Sequence, residues 1–267
     1  MKISPLKEDI CQGVNFTIVR ELTGGIYFGN RKEADPESEG QDEWAEDREP
    51  YSRREVERIT RLAAALAIKD AHTNPDGKPS KVWSLDKANV MATSRLWRRT
   101  VSETMAREFP DLEIGHQLID SGAMLLTRNP RALNGVIVTS NLFGDIISDQ
   151  ASAIPGSLGL LPSASLSGIP TTDNQGEPAL CNGIYEPIHG SAPDIAGDGV
   201  VNPVAAILSA GMLLRYSLGM AQEADKVDEA VRNVIDKGVR TKDLGGSAST
   251  SEVGNEVVEE LSRLLSE

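Results

Sequence analysis

Gly135-Val-Ile-Val-Thr139, Ser140, and then Asn141-Leu-Phe-Gly-Asp145-Ile-Ile-Ser-Asp149-Gln-Ala-Ser152 form the stretch on which the fold reading turns. Residues 135 to 139 are a short β-branched run of the kind a buried strand requires. Gly144 is expected to loosen the turn that follows, and residues 145 to 153 have the composition of a helix that Pro155 and Gly156 end. Asp145 and Asp149 then stand four apart, one helical turn above the other on a single face. Two like charges at that spacing repel unless a cation lies between them. A hard divalent ion such as Mg²⁺ or Mn²⁺ takes carboxylate oxygens and leaves positions open for substrate and water. The spacing alone equally allows Asp145 to cap the helix and Asp149 to be solvated, so the rest of the chain must decide.

A chain of 267 residues suits one large or two ordinary domains and can bury a sizeable core. A formal charge of -13 argues against nucleic acid or an anionic membrane surface as the main partner. No apolar run approaches the length needed to cross a bilayer, and Met1-Lys-Ile-Ser-Pro5 lacks the apolar region of a signal peptide. Cys11 and Cys181 show no metal-ligand spacing, so free thiols in a reducing, cytoplasmic setting are expected. Few aromatics and many Ala, Gly, Leu and Val fit an α/β enzyme, and no internal repeat is visible.

Val14 to Arg20 alternates as a strand and runs into Glu21-Leu-Thr-Gly-Gly-Ile-Tyr-Phe-Gly29. The Gly24-Gly25 pair permits a tight turn or a close approach to a ligand. Arg20 can fork onto a carboxylate and Tyr27 can donate a proton, although a surface Arg and a half-buried Tyr would look the same. Residues 33 to 50 are strongly acidic and read as a solvated loop without chemistry. Ser52 and Glu55 form a capping box, and Val56, Ile59, Leu62, Ala63 and Leu66 mark one apolar stripe, so 52 to 70 reads as an amphipathic helix. A turn at Asn74 to Pro79 leads to a strand at Lys81 to Leu85.

That strand delivers Asp86-Lys87-Ala88-Asn89, with Lys87 a candidate base. Thr93 to Glu108 reads as a helix, and Leu112 to Ile119 as a strand ending at Asp120. A strand that ends on a charged residue and is followed by a helix thus recurs at Lys87, Asp120 and Asp145. Strand ends are where open α/β sheets place their sites.

Beyond Pro155 the texture changes. Gly156 to Gly168 is small and loop-like, and 170 to 179 reads as a polar insertion. Tyr185-Glu-Pro-Ile-His-Gly-Ser-Ala-Pro-Asp-Ile-Ala-Gly197 offers backbone N–H groups to a ligand and can hold a nucleotide without the G-x-G-x-x-G fingerprint, which is absent. His189 can stack on a base and Asp194 can accept from ribose hydroxyls, while an ordinary Gly/Pro loop has the same composition. Val204 to Leu218 reads as an apolar helix, Glu223 to Lys237 as an amphipathic one closed by Gly238, and Ser249 with Glu252 as the capping box of a last helix.

Four ordered motifs carry a resemblance: Arg20 to Gly29, Ser84-Leu-Asp-Lys-Ala-Asn-Val90, Asn141 to Asp149 and Tyr185 to Asp194. Together with Asp243-Leu-Gly-Gly246 they resemble the isopropylmalate/isocitrate dehydrogenase family, the β-decarboxylating hydroxyacid dehydrogenases, along essentially the whole chain. The match is nearest the leucine-biosynthesis branch and separates less sharply from branches acting on isocitrate, homoisocitrate or tartrate.

The resemblance implies a two-domain α/β fold with central mixed sheets. Residues 1–155 would be the substrate, metal and dimerisation domain, and 156–267 the later half of an NAD-binding domain. It implies oxidative decarboxylation of (2R,3S)-3-isopropylmalate to 2-oxoisocaproate, with NAD and Mg²⁺ or Mn²⁺, in a homodimer. Arg20 would bind substrate carboxylates and Tyr27 protonate the enol. Lys87 would act on the C2 hydroxyl, reaching in from the second subunit. Asp120, also lent across the dimer, would join Asp145 and Asp149 as metal ligands. His189, Gly190, Ser191, Ala192, Asp194, Ile195 and Asn202 would form the NAD loop, with Asp194 favouring NAD over NADP.

The family's chain begins well before the segment that Met1-Lys-Ile-Ser-Pro5 resembles, so the nucleotide domain is expected to be incomplete and two further substrate-binding arginines to be absent. Two functions remain open on this reading. One is an active metal- and NAD-dependent decarboxylating dehydrogenase, and the other is a silent chain that keeps only the dimerisation surface.

Overall fold

Four parallel strands set the frame of the first half of the chain, whose computed structural model describes residues 4–34, 43–72, 74–170 and 180–266. The chain divides into two compact units, Asp9–Ala151 and Ser152–Glu267 with Met1–Glu8. In chain order the elements up to residue 152 are α1 (Glu8–Cys11), β1 (Phe16–Arg20), β2 (Arg31–Lys32), β3 (Glu46–Asp47), α2 (Arg53–Lys69), β4 (Val82–Asp86), α3 (Ala92–Glu108), β5 (Ile114–Leu118), α4 (Ile119–Arg128), β6 (Gly135–Thr139) and α5 (Asn141–Ser152).

The sheet order is β1-β6-β4-β5, and all three pairings are parallel. β6 lies between β1 and β4 and is buried along its whole length, as a continuous Val/Ile run in a central parallel strand should be. Phe16 stands opposite Gly135, and Val82 opposite both Val136 and Ile114. Because every strand runs the same way, Arg20, Asp86, Leu118 and Thr139 end along one edge of the sheet.

Val136 and Val138 face one side, where α2 supplies Val56, Ile59, Ala63, Ala64 and Ala67 and α3 supplies Trp97, Val101 and Met105. The expected stripe of α2 is therefore core, and its Ser52–Glu55 capping box is formed in both directions. The buried Trp97 ring meets Tyr51 edge to face, with centroids 5.6 Å apart and planes at 77°. Truncating a tryptophan packed like this costs about 3–5 kcal/mol. Ile137, on the opposite face of the strand, is also buried, as are Leu85, Leu126, Leu133 and Ile147.

The second unit contains β7 (Pro162–Leu166), β8 (Gly183–Pro187), α6 (Val204–Tyr216), α7 (Ala221–Asp236) and α8 (Thr250–Leu265). β7 and β8 pair antiparallel, α6 packs on both, and α7 lies between α6 and α8. Val204, Ala230, Val231, Val234, Val253, Val257 and Leu264 form its core. Gly238, at φ +91°, follows the C-cap of α7, and the Ser249–Glu252 box opens α8, both as expected. The buried Glu260 carboxylate accepts from Arg263 at 2.7 Å, Lys237 at 2.6 Å and Asn233 at 2.8 Å, and these partners hold its pKa down to about 2.

Several local expectations are corrected. α5 begins at Asn141, so Gly144 lies inside the helix instead of loosening a turn, and Asp145 and Asp149 occupy its middle and last turns. The segment read as a small-residue loop contains strand β7, and Tyr185–Pro187 belongs to its partner β8. Pro, Ser and Ala carry little strand propensity, and the pairing itself supplies the order. The strand expected over Leu112 to Ile119 is β5, Ile114–Leu118, and Asp120 sits in the first turn of the helix α4 that follows instead of at the strand end. Glu46–Asp47 pairs with Arg31–Lys32 at the edge of the stretch read as an acidic loop, whose residues 35–42 lie outside the described ones. Residues 171–179 of the polar insertion also lie outside them. The four strands of the main sheet are all parallel, and antiparallel pairing among the described residues is confined to β2–β3 and β7–β8.

Candidate active site

The first group of candidate residues meets where β1 and β6 end. Arg20, the last residue of β1, lies level with Thr139, so its side chain reaches the first turns of α5. Its Nη1 donates to Asp145 Oδ1 at 2.5 Å, and its Nε and Nη2 donate to Asn141 Oδ1 at 3.0 and 2.8 Å. The Tyr27 hydroxyl donates to Asp145 Oδ2 at 2.8 Å, and the Arg20 guanidinium lies 5.5 Å from the centre of the Tyr27 ring. The bond to Asp145, then desolvation, raises the Tyr27 pKa above its ordinary value of 10.0, which keeps the phenol protonated. Asp149 follows one turn later and is exposed.

This cluster is braced from behind. Asn141 is buried, and its Nδ2 donates to the carbonyls of Leu22 and Gly24 at 3.1 Å each, which leaves only Oδ1 to face Arg20. Its backbone N–H donates to Tyr51 Oη at 2.9 Å, and burial pushes that phenol up to about 12. The buried Glu21 carboxylate accepts from Thr23 and Arg58 and so fixes the turn that carries Tyr27. Within that turn Gly25 adopts φ +75°, and a Cβ there would lie 2.3 Å from Tyr51 Oη. Gly144 is required for a different reason: a Cβ would lie 2.6 Å from Arg20 Cγ, so its absence lets α5 lie against the arginine stem.

The second group sits at the ends of β4 and β5. Lys87 Nζ donates to Asp120 Oδ1 at 2.7 Å, and this bond holds the Asp120 carboxyl below its ordinary pKa. The Lys87 turn is tied down by buried Asp86, which takes both arms of Arg98 at 2.8 and 3.0 Å and the Ala88 N–H at 2.8 Å. Ser94 Oγ accepts from the Lys87 N–H at 3.0 Å.

Asp120 therefore sits with Lys87 and not with the α5 carboxylates. Among the described residues no three His, Cys, Asp or Glu side chains gather as a metal site within one chain. Asp145 and Asp149 still supply hard oxygen donors one turn apart, a donor set that fits a divalent cation once further oxygens complete it.

In the other unit the candidate nucleotide residues follow β8. His189, Gly190, Ser191, Ala192 and Asp194 lie on an open loop, with His189 Nδ1 2.9 Å from Gly190 O. Ala192 has φ 43° and ψ 63°, the left-handed conformation, and no other non-glycine among the described residues has positive φ. A 3-10 turn at Pro193–Ile195 carries Asp194 and Ile195. Asn202 is buried and braced: its Oδ1 accepts from Val204 N at 3.0 Å and its Nδ2 donates to Asp243 Oδ2 at 2.9 Å. Asp243 also accepts from Ser157 Oγ at 2.5 Å and from Thr241. Burial pushes the Asp243 carboxyl up, but these bonds outweigh it and hold the group below its ordinary pKa.

Asn141, Tyr51, Glu21, Asp86 and Arg98 are site-forming residues that the sequence reading misses. Asn141 and Asp86 stand inside the quoted motifs, and each is a polar group at a strand end. Tyr51 and Arg98 come from distant segments and carry no local signal.

The chain matches the family described as isocitrate/isopropylmalate dehydrogenase over residues 1–257. It is 64% identical over 265 residues to a 3-isopropylmalate dehydrogenase of Zymoseptoria tritici, covering 99% of this chain and 68% of that protein. It is 63% identical over 262 residues to the 3-isopropylmalate dehydrogenase of Neurospora crassa, covering 98% and 67%. Among solved structures, an isocitrate dehydrogenase from Methylococcus capsulatus is similar at 32% identity and TM-score 0.74, over 93% of this chain and 67% of that one. A Thermus thermophilus protein is similar at 32% identity and TM-score 0.77, over 96% of this chain and 47% of that one. The chain thus spans about two thirds of the curated relatives it matches. It belongs to the isocitrate/isopropylmalate dehydrogenase family, and it is of the oxidoreductase kind that its curated relatives represent.

Proposed function

We propose that this chain acts in the oxidative decarboxylation of 3-isopropylmalate in leucine biosynthesis, as a homodimer using NAD and Mg²⁺ or Mn²⁺. The observation that carries the reading is the single cluster of Arg20, Tyr27 and Asp145 at the carboxyl edge of a parallel sheet, with Lys87 and Asp120 paired on the same edge. Arg20 presents a guanidinium already oriented by Asn141, a geometry suited to a substrate carboxylate. Lys87 of the second subunit takes the C2 hydroxyl proton as hydride leaves C2. Loss of CO₂ then leaves the bonding pair at C3, and the Tyr27 phenol, held protonated, returns a proton there.

A divalent cation at Asp145 and Asp149, completed by the second subunit's Asp120, would supply Lewis acidity toward the C2 oxygen. NAD would supply the hydride acceptor, bound along the 189–195 loop, and the Asp194 carboxylate would disfavour the 2′-phosphate of NADP. Asn202 would serve that loop by bracing its base through Asp243.

The direct test is reduction of NAD by the purified chain with 3-isopropylmalate and Mn²⁺, alongside Lys87→Ala. Substrate- and Mn²⁺-dependent reduced nicotinamide that disappears in the variant is expected. Turnover of isocitrate in preference, or full activity of Lys87→Ala, would overturn the assignment.

A further inference from the structure

Both carboxylate oxygens of Asp145 already accept a hydrogen bond before any ligand arrives, while the side chain stays 44% exposed. Its Oδ1 takes Arg20 Nη1 at 2.5 Å and its Oδ2 takes the Tyr27 hydroxyl at 2.8 Å. Arg20 is not a freely swinging surface charge. Two of its nitrogens rest on Asn141 Oδ1, and Asn141 is itself immobilised by Leu22 O, Gly24 O and Tyr51 Oη. Gly144 lets the helix close against the arginine stem. A cation approaching Asp145 therefore meets a carboxylate that already holds a guanidinium and a phenol. A carboxylate approaching Arg20 meets a guanidinium that already holds Asp145.

We propose, resting on the reading of the site given above, that Arg20 positioned by Asn141 is the resident counter-cation of Asp145, so that a divalent cation and a substrate carboxylate enter by exchanging partners. The incoming carboxylate takes the guanidinium, and the incoming cation takes the carboxylate so released. Either ligand alone leaves one member of the pair without its counter-charge, so each binds weakly alone and each strengthens the other by the same factor. Asn141 is a positioning residue in this scheme. It touches no reacting atom, and it sets the geometry in which Arg20 spans both partners.

The test is a calorimetric titration of the full chain with Mn²⁺, without and with saturating succinate, a dicarboxylate that lacks the chelating hydroxyl. Succinate should tighten Mn²⁺ binding about tenfold. Tyr27→Phe keeps every charge at a solvent-facing position and frees Asp145 Oδ2, so Mn²⁺ without succinate should bind roughly three- to tenfold tighter. Asn141→Ala also keeps every charge and should tighten Mn²⁺ alone while reducing the succinate effect toward unity. If burial of Asn141 makes that variant unfold, Tyr27→Phe carries the comparison. Mn²⁺ binding that is indifferent to succinate and unchanged in Tyr27→Phe would remove the exchange and leave the cation site standing. Absence of Mn²⁺ binding under every condition would remove both.

Discussion

Lys87 Nζ and Asp120 Oδ1 lie 2.7 Å apart, joining the ends of two neighbouring parallel strands, β4 and β5. The two side chains that the family resemblance lends to a partner's site therefore leave one chain as a single unit. The pair is solvent-facing, with Asp120 60% exposed, so its value lies in placement and not in stability. Lys87→Ala is expected to lower kcat by about 10²–10⁴ while the melting temperature stays nearly constant. Steady-state kinetics beside thermal unfolding check this, and an equal loss of stability would reassign Lys87 to structure.

Asp86 illustrates the opposite case. Its carboxylate is buried against Arg98 and the Ala88 N–H. Asp86→Ala is expected to destabilise the chain by roughly 2–4 kcal/mol, below the cost of breaking a fully buried pair because Arg98 is partly exposed. Asp86→Asn should cost less, since one oxygen can still accept from Ala88. Urea unfolding of both variants gives the comparison.

Gly144→Ala puts a methyl group 2.6 Å from Arg20 Cγ and 2.8 Å from its Cβ. Either α5 or the arginine must move, at about 1–3 kcal/mol. The expected signature is weakened binding of a dicarboxylate together with that loss of stability, measured on the same preparation. Unchanged binding would show that the helix gives way and the arginine does not.

The fold also carries a pH dependence with a definite sign. Ser102 Oγ donates to Arg98 O at 2.8 Å, so His116 Nε2, 2.8 Å from that hydroxyl, is the donor to it. Nδ1 is buried and finds no partner among the described residues. Burial, then the charge of Arg98, lowers the His116 pKa below 6.5, and Asp86 opposes them only in part. The unfolded chain thus takes up this proton first, and stability falls as pH drops through and below 6.5, while well above that value His116 contributes no slope. A second loss follows between 4.5 and about 2, as Glu108, held by Arg61 and Arg107, and Glu260 are protonated. Urea midpoints measured well above and well below 6.5 should converge in His116→Gln if the first step belongs to this residue.

Much of this architecture is legible in local sequence because local chemistry causes it. The Val/Ile run of β6, the apolar stripe of α2 and the two capping boxes each form from neighbouring residues and appear as expected. β7 is not legible, because Pro-Ser-Ala-Ser-Leu has weak intrinsic preference and becomes a strand only by pairing with Gly183–Pro187. The start of α5 is obscured for a related reason. Gly144 looks like a breaker in isolation, and it is tolerated in the helix because Arg20, more than a hundred residues earlier, needs the space. At the site, Arg20, Tyr27 and Asp145 are readable from motifs and do converge, whereas the bracing by Tyr51 and Arg98 depends on tertiary contacts that no short window contains.

Calorimetric binding of 3-isopropylmalate to the full chain in the presence of Mn²⁺, with isocitrate as comparator and Arg20→Met as control, tests the substrate assignment most directly. The substrate contacts assigned to Arg20, Tyr27 and Asp145 all lie within one unit, so this readout does not depend on the nucleotide loop. Saturable binding of 3-isopropylmalate, at least about tenfold weaker binding of isocitrate, and loss of binding in Arg20→Met are expected. Tighter binding of isocitrate, or undiminished binding of 3-isopropylmalate by Arg20→Met, would contradict that assignment.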